Sequence, residues 1–257
     1  MKISAMITAF NEEKSIKNCL ESIKDVVDEI VVVHCGECKD NTLNIARNYT
    51  DKVFIAKDYG VACPNRPFGF SKCTCEWVLQ LDADERISDD LRKNLRILAE
   101  KENVDAYELK WVNTNPEGDM FILGKKIELY KPIFFRKNKL INEGIVHEPT
   151  RTTGKLARAE YELHHDHVYT NKNTMRSVYS KKEKLWPKID AQYRIEIGKA
   201  SKSRWFYLAK APLWFVLYVL YYSIYQKYIF AGKRGIVMSF YKGLYNFRLN
   251  YNLYKFK

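Results

Sequence analysis

Residues 77–85 read WVLQLDADE. An apolar run, 77–81, ends abruptly in carboxylates at Asp82, Asp84 and Glu85. Its length and composition predict a buried strand. Asp82-x-Asp84 then places two carboxylates one residue apart at a strand end, where they can share a hard divalent cation. Oxygen ligands suit Mg²⁺ or Mn²⁺, ions that usually complete their shell with substrate phosphate. The same two residues in an ordinary solvated turn would do no chemistry, so the neighbouring segments decide the reading.

Residues 2–8, 29–33 and 53–56 read as three further strands. Ile16, Cys19, Leu20 and Ile23 fall on one helical face, after Asn11 as a cap with Glu12 and Glu13 at the positive dipole end. Asp40 or Asn41 caps a second helix, with Leu43, Ala46 and Tyr49 inward. Ser88 caps a third, with Leu91, Leu95 and Leu98 inward. Strand–helix alternation over short connections predicts an α/β fold with a mostly parallel sheet flanked by helices. Ligands in such sheets bind at the carboxyl ends of strands. The loops 9–13, 34–41 and 82–86 leave three such ends and should face one crevice.

Beyond residue 104 the pattern changes. Residues 105–111, 126–129 and 133–136 predict strands of a mixed extension, with a turn at 115–118. A compact block follows at 143–149, then a His cluster at His164, His165 and His167. The remainder, from about 174, reads as a basic, aromatic helical C-terminal region. The predicted division is 1–150 for the sheet domain and 151–257 for an acceptor- or membrane-associating helical region.

Charge supports that division. The 257 residues carry a net +12, but residues 1–150 sum to −3 and residues 151–257 to +15. A basic, aromatic region suits an anionic polymer or an anionic membrane surface. No nucleic-acid module is recognisable, so a membrane is the expected partner and nucleic acid is not. The apolar run at 3–10 is too short for a secretory segment and is broken at Asn11, which predicts the cytoplasmic side. There the six cysteines, all within the first 75 residues, should be reduced thiols.

Three ordered segments, 3–13 (ISAMITAFNEE), 28–33 (DEIVVV) and 77–85, resemble family 2 glycosyltransferases of the GT-A fold. The nearest flavour is the group of lipopolysaccharide-core and lipid-linked-glycan glucosyltransferases. The resemblance covers the first ~150 residues and continues more loosely into Val146-His147-Glu148, Leu163-x-His165 and Gly232-x-x-Gly235. It implies a nucleotide-diphosphate sugar donor, a UDP-sugar foremost, and inversion at the anomeric carbon.

Carried onto this chain, the resemblance implies that Thr8, Phe10, Asn11 and Glu12 line the nucleotide pocket. Asp82 lies near ribose and metal, and Asp84 binds the metal. A carboxylate must take the proton of the acceptor hydroxyl; Glu148 is favoured and Glu143 is the rival, against a plain surface role before Pro149. His165 and His147 complete the metal site or touch diphosphate. Arg66 grips diphosphate or forms a salt bridge on a helix surface.

The family loop that normally reads Asp-Ser-Gly-Ser-Thr-Asp-Gly-Thr is replaced here by 34–42, HCGECKDNT. His34 stands where an Asp usually holds base or ribose, and Asp40 is the carboxylate left to replace it. Cys35 and Cys38 then belong to a nucleotide-pocket loop. A zinc or cluster site with Cys63, Cys73 and Cys75 is the alternative; a redox dithiol lacks its usual sequence context.

Residues 211–226 carry no charge and sit between Lys210 and Lys227. As a helix they would run about 24 Å, short of a ~30 Å hydrocarbon core. Their Tyr and Trp favour the membrane–water interface; a buried core helix and a single span are the alternatives. The interfacial reading makes the acceptor lipid-linked or a membrane glycolipid, at the cytoplasmic membrane face. Polyprenyl-phosphate sugar synthesis and a non-catalytic membrane-bound sugar-nucleotide-binding protein are the competing whole-protein readings. A nucleotidyltransferase would need a Gly-rich basic loop where 8–13 stands.

Overall fold

The computed structural model describes residues 1–114, 121–122, 125–126, 128–166 and 175–257, with backbone alone at 121–122, 125–126, 175–183 and 234. The turn read at 115–118 and His167 lie outside these residues. The chain divides into two compact units, one of residues 1–116 and 128–168, the other of 117–127 and 169–257.

The first unit is an eight-stranded sheet among the described residues. Its strands are β1 (Ile3–Ala9), β2 (Glu29–Cys35), β3 (Val53–Ala56), β4 (Trp77–Asp82), β5 (Glu85–Ile87), β6 (Ala106–Asn113), β9 (Leu129–Arg136) and β12 (Leu156–His165). Short pairs β7 (Phe121–Ile122) with β8 (Lys125–Lys126), and β10 (Leu140–Ile141) with β11 (Arg151–Thr152), stand apart from it. The order is β3-β2-β1-β4-β9-β6-β12-β5. β3, β2, β1 and β4 are parallel; β9 is antiparallel to β4 and β6, and β5 to β12. The chain winds outward from β1 to β3, then returns to β4 on β1's other side. That reversal makes the β1/β4 boundary the topological switch point, where crevices form.

β1 is buried along its whole length, as a central parallel strand must be. Ile3, Ala5, Ile7 and Ala9 pack with Trp77, Leu79 and Leu81 against α1 (Ile16–Ile23) and α4 (Asp89–Glu100). Met6, Val31, Val33 and Val78 pack on the other face against Phe70 of α3 (Arg66–Lys72). Alternation puts Thr8, Gln80 and Asp82 on that α3 face too. Gly69 allows the close approach, since a Cβ there would lie 2.7 Å from Met6 Sδ. α2 (Thr42–Arg47) follows the β2 loop.

Several details differ from the sequence reading. α1 begins at Ile16, not after Asn11; Asn11 instead takes φ 53°, a conformation Asn tolerates well. Residues 129–136 form one strand through Pro132; the extra residue of a bulge, Ile133, falls beside the proline where β6 steps from Tyr107 to Glu108, and bulges are where strands tolerate proline. The boundary at 150 is too early. β12 is hydrogen-bonded between β6 and β5, so residues 151–165 belong to the sheet unit.

The second unit contains α5 (Met175–Glu196), α6 (Arg204–Leu220) and α7 (Gly232–Phe256), around Ala191, Tyr207, Tyr245, Leu249 and Leu253. Gly243 lets α7 meet α6 closely: its Cβ would be 2.8 Å from the Phe215 carbonyl oxygen. Among the described residues, Arg204–Tyr225 is the one helical stretch long and apolar enough to cross a membrane, and 11 % of its apolar window is buried. Leu213, Val216, Leu217 and Leu220 of the uncharged stretch are exposed.

Candidate active site

Thr8, His34 and Asp82 end adjacent strands in register. Thr8 pairs with Asp82 across β1 and β4, and Ala9 with His34 across β1 and β2. Thr8 Oγ1 donates to Asp82 Oδ1 at 2.9 Å. The three strand-end loops of the sequence reading thus meet at one place.

Asp82 is the hub of a charge network. Arg66 Nη2 reaches its two carboxylate oxygens at 2.8 and 3.1 Å, and Lys131 Nζ reaches Oδ2 at 3.0 Å. Lys131 also bonds Glu85 Oε1 at 2.6 Å. Glu85, buried, accepts from Trp111 Nε1 at 2.9 Å and from the Asp82 backbone N–H at 3.0 Å. Two cations and two anions balance. Burial alone would raise the Asp82 pKa, but the Arg66 and Lys131 charges overcome it and hold the carboxyl well below its usual range. Both oxygens of Asp82 accept from side-chain cations. Arg66 likewise is in a salt bridge, but an inward one with a side chain 12 % exposed, and not on a helix surface.

Asp84 lies on the other side of the motif. Its Oδ2 is 3.2 Å from His165 Nε2. His165 Nδ1 is 3.1 Å from Asn113 Oδ1, its register partner on β6, and the imidazole packs on Trp111 at 4.5 Å. With a cation bound, an Nδ1 proton donated to Asn113 would leave the Nε2 lone pair for the metal beside Asp84. A carboxylate and an imidazole nitrogen so arranged, with a hydrogen-bonded second shell, fit a divalent cation. Among the described residues no three His, Cys, Asp or Glu side chains converge. The site therefore suits a cation that takes remaining ligands from phosphate and water, as Mg²⁺ and Mn²⁺ do.

The field there is negative. Burial raises the Glu12 pKa, the Ser15 hydroxyl opposes the shift, and Asp84, Asp40 and Asp82 add to it. Asp40 takes hydrogen bonds from the Thr42 and Glu13 N–H groups at 2.9 and 3.1 Å. Glu12 N–H donates to Thr42 Oγ1 at 2.6 Å, and Asn11 Oδ1 accepts from Lys39 N–H at 2.8 Å. The first and second loops are thereby stitched together.

His34 lies within the loop that the sequence reading gives to the nucleotide pocket. It is fully buried, with Nδ1 2.8 Å from the Gly36 carbonyl and Nε2 accepting from Asn11 N–H at 3.2 Å. It braces the loops and presents no free nitrogen to a ligand. Phe10, by contrast, is 48 % exposed beside it, with ring centroids 6.0 Å apart.

The block at 143–149 is tied to the motif strand. Asn142 Nδ2 donates to Thr150 Oγ1 at 2.6 Å, and Thr150 Oγ1 donates to Gln80 Oε1 at 2.5 Å, both atoms buried. Gln80 shares its face with Asp82. Ile145 and Val146 are buried, and His147 takes φ 63°. Glu148 is ion-paired with Arg151 at 2.6 Å, and Glu143 is half-buried.

All six cysteines are free. Cys38 bonds Asp40, Cys73 bonds the Gly69 carbonyl, and Cys19 lies 3.8 Å from the Asp82 carbonyl. Burial raises the pKa of Cys19, Cys35 and Cys73, so these are inert thiols. Sequence reasoning missed Lys131, Asn113 and Trp111. A lysine beside a proline in an otherwise apolar strand was the one available signal.

Comparisons with known proteins agree with this geometry. The family model described as "Glycosyl transferase family 2" matches residues 4–163. An uncharacterized glycosyltransferase of Rickettsia typhi is 33 % identical over 148 residues, 55 % of this chain and 50 % of that protein. The lipopolysaccharide core biosynthesis glycosyltransferase LpsC of Rhizobium meliloti is 30 % identical over 99 residues, 37 % of this chain and 36 % of that protein. The matched segment thus spans half or less of these relatives' length. The crystal structure of S. aureus TarS 1–349 in complex with UDP-GlcNAc shares the fold, with TM-score 0.52 and 16 % identity over 99 % of this chain and 92 % of that one. The family model covers more than half of the sequence, and the strand-end carboxylates lie within it: this chain belongs to glycosyl transferase family 2.

Proposed function

We propose that the chain transfers a sugar, with inversion, from a UDP-sugar to a hydroxyl of a lipid-linked or glycolipid acceptor at the cytoplasmic membrane surface, using Mg²⁺ or Mn²⁺. The observation that carries this reading is the meeting of Thr8–Asp82 with Asp84–His165 at the switch point of the sheet. The UDP-GlcNAc complex of TarS favours a uridine donor. The name of LpsC, with the exposed apolar helix, favours a membrane glycolipid acceptor.

In this reading Phe10 offers its exposed face to the base, and Asn11 and Glu12 shape the pocket wall. Asp82, held by Arg66 and Lys131, presents a fixed anion edge toward ribose. Asp84 and His165 would hold the cation, whose charge would offset that developing on the departing diphosphate. The acceptor oxygen bonds to the anomeric carbon as the bond to the diphosphate oxygen breaks. Its proton passes to a carboxylate, Glu148 first and Glu143 second. Arg151 Nη2 lies 2.6 Å from Glu148 Oε1 and fixes where that carboxylate points. A melting screen of nucleotide sugars with and without Mn²⁺ tests the class, because a ligand of the native state raises Tm. Stabilisation by one nucleotide sugar only with metal supports the reading; no response to any of them overturns it.

A further inference from the structure

A cavity of about 360 Å³ opens in the helical unit beside the first turns of α6. Arg194 lines it from the end of α5, Lys199 and Lys202 from the following link, and Lys210 from α6. Phe206 and Trp214 supply aromatic walls. Lys210 Nζ lies 4.5 Å from the Trp214 ring centroid and 5.6 Å from that of Phe206. Among the described residues, the lining holds these four cationic side chains and no carboxylate. Asp190, wholly buried, bonds Arg194 Nε at 2.8 Å and accepts from Tyr245 Oη at 3.0 Å, so it serves to fix the Arg194 side chain. The N-terminal end of α6, capped by Ser203, adds its positive partial charge.

An apolar stripe starts within one turn of Lys210. Leu213, Val216, Leu217, Leu220 and Ile224 are exposed at helical spacing along α6 and the turn after it. Cationic recess and apolar stripe on one helix are complementary to an amphiphile with an anionic head. Arg and Lys donors favour phosphate oxygens, and Trp suits the interfacial depth at which a headgroup sits.

We propose that this cavity binds the phosphate of an anionic membrane lipid, while the stripe beds in the acyl layer of the same membrane. The proposal rests on the reading that the helical unit meets a membrane, and it adds a defined headgroup site to it.

Flotation of the full chain with phosphatidylcholine vesicles, with or without phosphatidic acid, tests it. The variant Lys202→Gln/Lys210→Gln is compared with Lys233→Gln/Lys255→Gln, which removes equal charge outside the cavity. The expected result is binding that needs phosphatidic acid and falls about tenfold more in the cavity variant than in the control, as lost charge-assisted hydrogen bonds imply. Inorganic phosphate in excess should weaken the binding more than chloride at matched ionic strength, because it competes for the cavity. Equal loss in both variants signals diffuse attraction to the surface and overturns the proposal. So does full binding by the cavity variant, or an effect of inorganic phosphate no greater than that of chloride. Should the double variant lose its melting transition, Lys202→Gln alone, at an exposed position, carries the same comparison against Lys233→Gln. Failure of the unaltered chain to bind any vesicle overturns the membrane reading as well, while metal-dependent donor binding by the sheet unit stays separately measurable.

Discussion

Thr8 on β1 and Asp82 on β4 face each other in register, and the threonine hydroxyl donates to the carboxylate at 2.9 Å. This contact lies at the point where the sheet reverses its winding. The crevice lies beyond the carboxyl ends of these paired strands, so its place is a consequence of topology and its polar lining a consequence of which residues end the strands. Because Asp82 is neutralised by Arg66 and Lys131, the two acids of the motif have different tasks. Asp82 holds the crevice together and, in the proposed reading, keeps an edge toward ribose, while Asp84 is the acid assigned to the cation.

Lys131→Met tests the first task. It leaves Asp82 and the buried Glu85 short of one cation. The expected destabilisation is about 3 kcal/mol in urea unfolding, the range for a broken buried pair. Adding Glu85→Gln should recover much of it. A single variant as stable as the parent would show that the network carries no such strain.

Asn113 tests the second. It orients His165 through Nδ1 without facing Asp84 itself. Asn113→Ala should weaken Mn²⁺ binding in the presence of UDP about tenfold, the usual effect of losing an outer-shell partner. Thermal stability should stay nearly unchanged, and Asn113→Asp should restore affinity. Loss of Tm in proportion to loss of affinity would make the residue merely structural.

Glu148→Gln should lower turnover by about a hundredfold or more with donor affinity retained, since a general base contributes on that scale. Glu143→Gln is the paired measurement. If Glu143→Gln alone abolishes turnover, the base is Glu143 and the Glu148–Arg151 pair is surface structure.

Acid stability has a local source at the opposite end of the sheet. Burial tends to raise the Glu29 pKa, but Lys52, Ser4 and the Thr74 N–H and hydroxyl reverse this and lower it from 4.5 to about 2. A depressed folded pKa stabilises above the unfolded value, and that stabilisation is lost as pH falls through the folded one. Glu29 should therefore contribute about 3 kcal/mol at neutral pH, fading between pH 4.5 and about 2. The stability difference between the parent and Glu29→Gln should shrink over that window. A constant difference would locate the acid sensitivity elsewhere.

Much of the sheet was legible in the sequence because period and punctuation agreed: the β1, β2 and β4 strands, the inward face of α1 and the Ser88 cap all follow local rules. Local rules failed where a partner strand decided the outcome. Pro132 suggests a strand end until the bulge beside it, at Ile133 of the same strand, is seen. His34 suggests a ligand contact until the turn at Gly36 and the Asn11 backbone are found holding both its nitrogens. Lys131 and Asn113 reach the site only through pairings more than forty residues long in sequence, 49 and 52 respectively, which no window on one segment contains.

The central claim is that Asp84, with His165, holds the cation that receives a nucleotide diphosphate. Titrating UDP into the chain with and without Mn²⁺, for the parent and for Asp84→Ala, measures this directly. The account predicts heat of binding in the parent only when Mn²⁺ is present, and none in Asp84→Ala despite an unaltered melting curve. Equal UDP affinity with and without Mn²⁺, or in the variant, would contradict it.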